Sequence, residues 1–196
     1  ESFYREDAAG KKRWYYPNEV NVQHDERGTP IGATAKQDGL PLMLGGIEKM
    51  SKSKNNVVEP REFIGKFGAD TARLFTMFAG PPDQSAAWSD SGAAGCFRYL
   101  SRVWAFGVKH AAVVRAAGSD FGAIDDEAKT LRREVHGLLR QVSHDYDRLQ
   151  YNTVASGAMK LLNALEDFSN DGSPASNAAL REGLSVLLRV LYPACP

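Results

Sequence analysis

Three lysines and two serines fall among the six residues 49–54, within the stretch EKMSKSKNNVVEP. Lysine carries a compact charge on a long flexible stem, so it can follow an anion that changes geometry. Small hydroxyls and free backbone N–H groups add neutral donors around the same anion oxygens. The residues 48–56, called here the lysine loop, therefore favour binding of a polyphosphate group. A solvated surface loop is the alternative interpretation of any lysine- and serine-rich run.

Local placement rather than bulk charge must create such a site. The chain has 196 residues, 43% of them hydrophobic, and its 24 Lys and Arg balance 24 Asp and Glu to a net charge of 0. No overall field is then available to attract nucleic acid or an anionic membrane. There is no apolar run of about 20 residues and no signal peptide at the start. The sequence predicts a globular cytoplasmic protein of one or two domains, without a membrane span.

No metal site is predicted from the cysteines or histidines. Cys96 and Cys195 match no metal-binding or redox spacing. The histidines show no ligand spacing with cysteine or carboxylate either. They are His24, His110, His136 and His144. The segment SHDYD at 143–147 could suggest acid–base chemistry, but on a helix its side chains point in different directions, which favours a solvent-facing role.

The elements before the lysine loop are predicted to be β structure. Residues 1–47 form a β-rich module in which Val20 and Val22 pair with residues near Ile31 across the polar turn DERG. A short apolar strand ends in the pair Gly45-Gly46, which permits a sharp entry into the loop. The loop and a short helix that begins near Pro60 make up residues 48–68.

The remaining residues, 69–196, are predicted to be helices that pack as an antiparallel bundle. A long helix is capped by Ser89 or Asp90, the next is capped by Asp125 or Asp126 after a loop over 116–123, and another is capped by Asn152. The apolar stripe predicted for the long helix comprises Phe97, Leu100, Trp104, Val108 and Ala111. The fold class is therefore predicted to be α+β.

Residues 49–53 spell KMSKS, the signature of class I aminoacyl-tRNA synthetases. The longer stretch over residues 49–104 resembles bacterial leucyl-tRNA synthetases, with GADTARLF, GPP and WSDSG as further similar segments. Asn55-Asn56 stands where isoleucyl and valyl relatives usually carry Gly-Asn, as in some leucyl enzymes. The resemblance is strongest over 45–104, moderate over the β-rich module, which is similar to the insertion upstream of this loop in leucyl enzymes, and weaker after about residue 118.

The resemblance implies an ATP-dependent ligase that converts leucine to leucyl-adenylate and then transfers it to tRNA(Leu). ATP, accompanied by Mg²⁺, is the implied cofactor. By position, Lys49 and Lys52 correspond to the catalytic lysines, with Lys52 contacting the phosphates that leave. Ser51 and Ser53 correspond to further contacts with the ATP phosphates.

The helices after residue 69 resemble the anticodon-binding domain of class Ia synthetases, which supports tRNA. Four cations recur along the long helix, namely Arg98, Arg102, Lys109 and Arg115. Contact with the phosphates of tRNA is the functional interpretation. A solvated helix face, with the stems of the side chains covering apolar surface, is the alternative.

The sequence contains no HIGH-like signature and no room for an editing insertion. The resemblance therefore implies a fragment of the enzyme that is inactive alone, with most of the leucine site outside it. Apolar surface at the end of a truncated bundle would permit self-association. The alternatives are a fragment of another class I synthetase, such as an isoleucyl, valyl or methionyl enzyme, and a stand-alone helical RNA-binding module.

Overall fold

A computed structural model of the chain describes residues 1–119, 121–122 and 124–196. It separates into a sheet unit, Glu1–Phe63, and a helical unit, Ile64–Pro196. The division falls inside a short helix, Pro60–Phe67, which begins at the predicted proline. Antiparallel strands in the first unit and helices in the second confirm the predicted α+β class.

Five short strands make up the sheet. They are β1 (Phe3–Glu6), β2 (Lys12–Tyr15), β3 (Val20–His24), β4 (Pro30–Ala35) and β5 (Pro41–Leu44). Their order in the sheet is β2-β1-β5-β4-β3, and every pair of neighbours is antiparallel. Val20 lies opposite Ala35 and Val22 opposite Ala33, which confirms the predicted hairpin. Alternation along the strands buries one face, whose core is Phe3, Tyr15, Val20, Ala33, Ala35 and Leu42.

Aspartate side chains organise the turns between these strands. In the DERG turn, the carboxylate of Asp25 accepts hydrogen bonds from the N–H groups of Arg27 and Thr29 at 2.9 and 2.7 Å. In the turn before β5, Asp38 accepts two bonds from the Arg5 guanidinium at 2.8 and 3.1 Å. The bonds from Arg5 lower the pKa of Asp38 to about 2. The Arg5–Asp38 pair therefore ties β1 to the turn before β5.

Six helices follow: α1 (Pro60–Phe67), α2 (Ala69–Phe78), α3 (Asp90–Ala116), α4 (Asp126–Asp147), α5 (Tyr151–Asp167) and α6 (Pro174–Leu191). The side chains of Ser89 and Asp125 accept bonds from N–H groups in the first turns of α3 and α4, as predicted. Of the predicted loop over 116–123, Asp120 and Ala123 lie outside the described residues. No helix in the described part of the chain is long and apolar enough to cross a membrane.

The prediction that Asn152 caps α5 is wrong. The helix begins at Tyr151, and Gln150 is its N-cap. Leu149 has a φ of 58°, in the left-handed region, and this backbone turn separates the end of α4 from the start of α5. The backbone carbonyl of Gln150 then accepts the first bonds, from the N–H groups of Thr153 and Val154.

Hydrogen bonds between α4 and α6 give their relative direction. Near the start of both helices, Ser176 Oγ donates to Asp125 at 3.1 Å, and near their ends Tyr146 donates to the carbonyl of Val190 at 2.7 Å. These two helices therefore run in the same direction. The connecting helix α5 runs back between them, and Gly157 in α5 approaches Val142 so closely that an added Cβ would collide with it. Successive helices of this group are antiparallel, as predicted.

Two predictions about exposed and buried positions are wrong. The buried side of α3 consists of Ala93, Cys96, Tyr99, Val103 and Phe106. In the predicted stripe, Phe97, Trp104 and Val108 are instead 43%, 76% and 61% exposed. Apolar residues lie on several sides of α3, so helical spacing fits more than one face. Asp145, predicted to face solvent, is only 7% exposed, and its carboxylate accepts a bond from Gln141 Nε2 at 2.9 Å.

Candidate phosphate-binding loop and helix face

The chain enters the lysine loop next to Ser2, the residue that precedes β1. The N–H of Gly45 donates to the carbonyl of Ser2 at 2.8 Å, and a Cβ at position 45 would collide with Ser2 Oγ. Glycine suits this position because any added Cβ would displace the Ser2 hydroxyl. Ser2 Oγ also donates to Glu48 at 3.2 Å. The residues that enter the loop are therefore held against the first strand.

The middle of the loop is closed by the side chain of Asn56. Its Oδ1 accepts from the N–H of Ser51 at 2.8 Å, and its Nδ2 donates to the carbonyl of Lys49 at 3.4 Å. Between Ser51 and Asn56 the chain makes one 3₁₀ turn over Lys52–Lys54. The Oγ atoms of Ser51 and Ser53 lie 2.8 Å apart. Asn56 is only 6% exposed, so its amide is a buried support for this part of the loop.

Two contacts to the sheet unit fix the loop where it ends. Asn55 has φ 50° and ψ 26°, a left-handed conformation that asparagine tolerates better than most residues. Its Nδ2 donates to the carbonyl of Trp14 on β2 at 3.0 Å. Lys54 Nζ lies 2.7 Å from the carboxylate of Glu48 and 5.4 Å from the centre of the Trp14 ring. The exit of the loop is thus attached both to its own entry and to β2.

These contacts separate the three lysines by role. Lys54 is half-buried and is paired with Glu48, and this hydrogen bond lowers the pKa of Glu48 below its ordinary value. Within the described residues, the side chains of Lys49 and Lys52 form no hydrogen bond or ion pair, and both are exposed. Two ammonium groups on a fixed backbone therefore remain available for an anion.

Sequence reasoning overlooked the residues that hold the loop. Glu48, Asn55, Asn56, Trp14 and Ser2 all contribute contacts, yet none was predicted to have a role. A signal was present in the asparagine pair that follows the lysines, because asparagine combines a tolerated left-handed backbone with a side chain that bonds to nearby backbone groups.

The four cations predicted to contact tRNA all lie exposed on α3. At 100° per residue, Arg98, Arg102 and Lys109 fall within about 40° of one another around the helix axis. Arg115 lies about 100° away from Arg98. The structure therefore brings three of the four predicted residues onto one side of the helix.

The three cations on this side differ in their partners. The guanidinium of Arg102 donates to the carboxylate of Glu166 and, at 2.8 Å, to Asn163 Oδ1, both on α5. The bond to Glu166 raises the pKa of Arg102. Among the residues that the structure describes, the side chains of Arg98 and Lys109 form no hydrogen bond or ion pair. Arg98 and Lys109 are thus the side chains on this face that could reach a phosphate without first breaking an ion pair.

A cavity of about 580 Å³ lies between α4 and α5. Its charged lining is mainly acidic: Asp126, Glu127, Glu134 and Asp167, with Lys160 as the cation. Such a lining repels phosphate. The described residues contain no group of three side chains that could hold a metal ion. The candidate anion-binding side chains are therefore those of the lysine loop and the α3 face.

Comparison with a family model gives a match over residues 128–196. The matched family is described as the anticodon-binding domain of tRNA ligase. The match covers α4, α5 and α6, apart from the first residues of α4.

Whole-chain comparison finds curated relatives named leucine–tRNA ligase. The protein from Methylibium petroleiphilum is 71% identical over all 196 residues, and those from Cupriavidus metallidurans and Ralstonia nicotianae are 58% and 57% identical. In each case the whole chain is matched, and it spans 22% of the length of the relative.

A solved structure is also similar. It is a ternary complex of LeuRS, the agnB2 product of Agrobacterium radiobacter K84, with tRNA and LeuAMS. The similarity has a TM-score of 0.66 and 27% sequence identity, and covers 76% of this chain and 19% of the solved one.

Proposed function

The chain belongs along its whole length to the leucine–tRNA ligase family, and we propose that it serves ATP-dependent activation of leucine and transfer of the product to tRNA(Leu). In this proposal residues 1–47 support the lysine loop, residues 48–68 bind the ATP phosphates, and residues 69–196 support tRNA. Mg²⁺ arrives with the nucleotide, and most of the leucine site lies outside these residues. A cytoplasmic location is part of the proposal, since charged tRNA is consumed in translation. Self-association stays a prediction.

The observation that carries this proposal is the pair of unpartnered lysines on an anchored backbone. In the proposed reaction, the leucine carboxylate attacks the α-phosphorus, and the bond from that phosphorus to the bridging oxygen breaks. Negative charge then increases on the departing pyrophosphate. Lys52 and Lys49 stabilise that charge with their ammonium groups, and Ser51 and Ser53 add hydroxyl or backbone donors. Neither lysine has to give up an ion pair within the described residues before it binds.

The test is single-turnover formation of leucyl-adenylate by the full-length protein carrying Lys52→Ala. Removing one preorganised donor from developing charge lowers the rate by about 10²–10³, or about 3–4 kcal/mol. We expect a smaller change in the KM for ATP, because the interaction strengthens as the pyrophosphate leaves.

Lys11→Ala is the matched control, since Lys11 is an exposed lysine in a turn of the same sheet unit. Transfer of leucine from preformed adenylate to tRNA should be spared in Lys52→Ala, because the pyrophosphate has already left. An unchanged rate of adenylate formation in Lys52→Ala would refute the assignment of the loop.

The proposed tRNA support rests on the α3 face together with the anticodon-binding match over residues 128–196. Arg98 and Lys109 contact the tRNA backbone in this proposal. Arg102 contributes mainly by holding α3 to α5. Arg115 lies on another side of α3, so it does not share the contact proposed for Arg98 and Lys109.

A further inference from the structure

We propose that Asn56 is the positioning residue of the lysine loop, with an amide that fixes the backbone from which Lys49 and Lys52 extend toward the triphosphate. The inference rests on the function proposed for the loop. It adds a residue that lies outside the KMSKS signature and does not touch the nucleotide itself. Its role is to hold two other side chains in a productive direction.

The geometry of the Asn56 amide supports this role. Oδ1 accepts from the N–H of Ser51, and Nδ2 donates to the carbonyl of Lys49, so one side chain satisfies two peptide groups of the signature. These two peptide groups flank Met50. The side chain thus substitutes for a neighbouring strand, which would offer the same donor and acceptor pair. With 6% exposure, the amide is protected from competition by water.

The neighbouring contacts act on a different part of the loop. Asn55 is bonded to the carbonyl of Trp14, and Lys54 is paired with Glu48. Both contacts hold residues that follow the signature. Within the described residues, the amide of Asn56 alone bonds to the backbone of Lys49 and Ser51 through a side chain.

Fixing this backbone matters because the lysines are otherwise unrestrained. Lysine has a long flexible stem, and within the described residues the side chains of Lys49 and Lys52 form no hydrogen bond or ion pair. The direction of each stem is therefore set by its backbone. A displacement of about 1 Å in a catalytic group can cost about 10²-fold in rate. Loss of the amide should lower kcat for adenylate formation more than it changes the KM for ATP.

The experiment compares Asn56→Ala with Asn21→Ala in the full-length protein, because Asn21 is an exposed asparagine on β3 of the same unit. We expect single-turnover adenylate formation to slow by about 10- to 100-fold in Asn56→Ala and to stay at the parental rate in Asn21→Ala. Transfer from preformed adenylate to tRNA should remain parental in both. An Asn56→Ala rate equal to that of Asn21→Ala overturns the proposal.

A double-mutant cycle with Lys52 separates positioning from general destabilisation. If Asn56 acts by orienting Lys52, its replacement should cost less than about threefold once Lys52→Ala is present. Fully additive losses overturn the proposal, since Asn56 would then act independently of the lysine. A parental rate in Lys52→Ala alone refutes the proposed function of the loop itself, which distinguishes the two failures.

Asn56→Asp keeps the test available if Asn56→Ala does not fold. The carboxylate retains an acceptor for the N–H of Ser51 and loses the donor to the carbonyl of Lys49. We expect a loss of about tenfold, with the same weakening of the effect in the presence of Lys52→Ala. A parental rate in Asn56→Asp overturns the proposal.

Discussion

Two lysines of the sheet unit and two arginines of the helical unit are used in opposite ways. In the lysine loop, Lys49 and Lys52 are exposed and have no partner among the described side chains, on a backbone fixed by other residues. In the helical unit, Arg102 and Arg132 are bonded to glutamates on other helices, Glu166 and Glu182. The first arrangement keeps charge available for a ligand, whereas the second uses charge to join helices.

The difference shows that a count or spacing of cations does not reveal which of them can bind an anion. The partner of Arg132 lies 50 residues away in the sequence, and that of Arg102 lies 64 residues away. Such pairs exist only after the helices have packed. A guanidinium already bonded to a carboxylate must lose that bond before it contacts a phosphate, so paired arginines make weaker ligands than their charge suggests.

The largest effect that would test this contrast is expected for Glu182→Ala. The carboxylate accepts two bonds from Arg132, at 2.7 and 3.3 Å, and lies 3.2 Å from His136 Nε2. Arg132 also lies 3.8 Å from the centre of the Phe121 ring and is half-buried. In Glu182→Ala, Arg132 loses this partner, which should lower the free energy of unfolding of the helical unit by about 1–3 kcal/mol.

Urea unfolding followed by helical circular dichroism measures the effect of Glu182→Ala, with the exposed residue in Glu134→Ala as the control. The bond from Arg132 lowers the pKa of Glu182. Its stabilisation is therefore present above the ordinary pKa of 4.5 and lost as the pH falls below that value. The difference between parent and variant should shrink in acid. Equal unfolding midpoints for the Glu182 and Glu134 variants at neutral pH would contradict a structural role for Arg132.

A smaller effect is expected for Lys54→Ala, which sharpens the contrast inside the loop. Lys54 is paired with Glu48, and because these side chains are still 35% and 32% exposed, the ion pair contributes at most about 1 kcal/mol. Adenylate formation should slow by less than about tenfold, or about 1.4 kcal/mol, and Glu48→Gln should reproduce the change. The measurement is the single-turnover rate of adenylate formation. A Lys54→Ala loss as large as that of Lys52→Ala would mean that the loop is a diffuse charge patch.

The smallest effect concerns the α3 face. Arg98→Ala should weaken tRNA binding by about threefold to fivefold and reduce the dependence of log affinity on log salt by about one unit. Arg102→Ala should weaken it less, because that guanidinium is bonded to Glu166. The measurement is the affinity for tRNA(Leu) over a series of salt concentrations, with the full-length protein. Identical salt slopes for Arg98→Ala and the parent would remove Arg98 from the interface.

Features with local causes could be predicted from the sequence. The DERG turn depends on an aspartate that bonds within four residues, and the starts of α3 and α4 depend on Ser89 and Asp125. Features that depend on partners distant in sequence could not. The buried face of α3 was predicted wrongly because apolar residues occur on several of its sides, and packing against other helices decides which is covered. The hydrogen bonds from Asn56 to Ser51 and Lys49 exist only after the loop has folded back on itself.

The position of Trp14 next to the loop offers a built-in optical probe. The 196-residue chain has three tryptophans. Trp88 packs against Phe75 with ring centres 5.0 Å apart, and Trp104 is largely exposed. Trp14 differs because its carbonyl is bonded to Asn55 and its ring lies beside the Lys54 ammonium. With phenylalanine at positions 88 and 104, the emission of this chain would come from an indole that reports the local field of the loop without an attached dye.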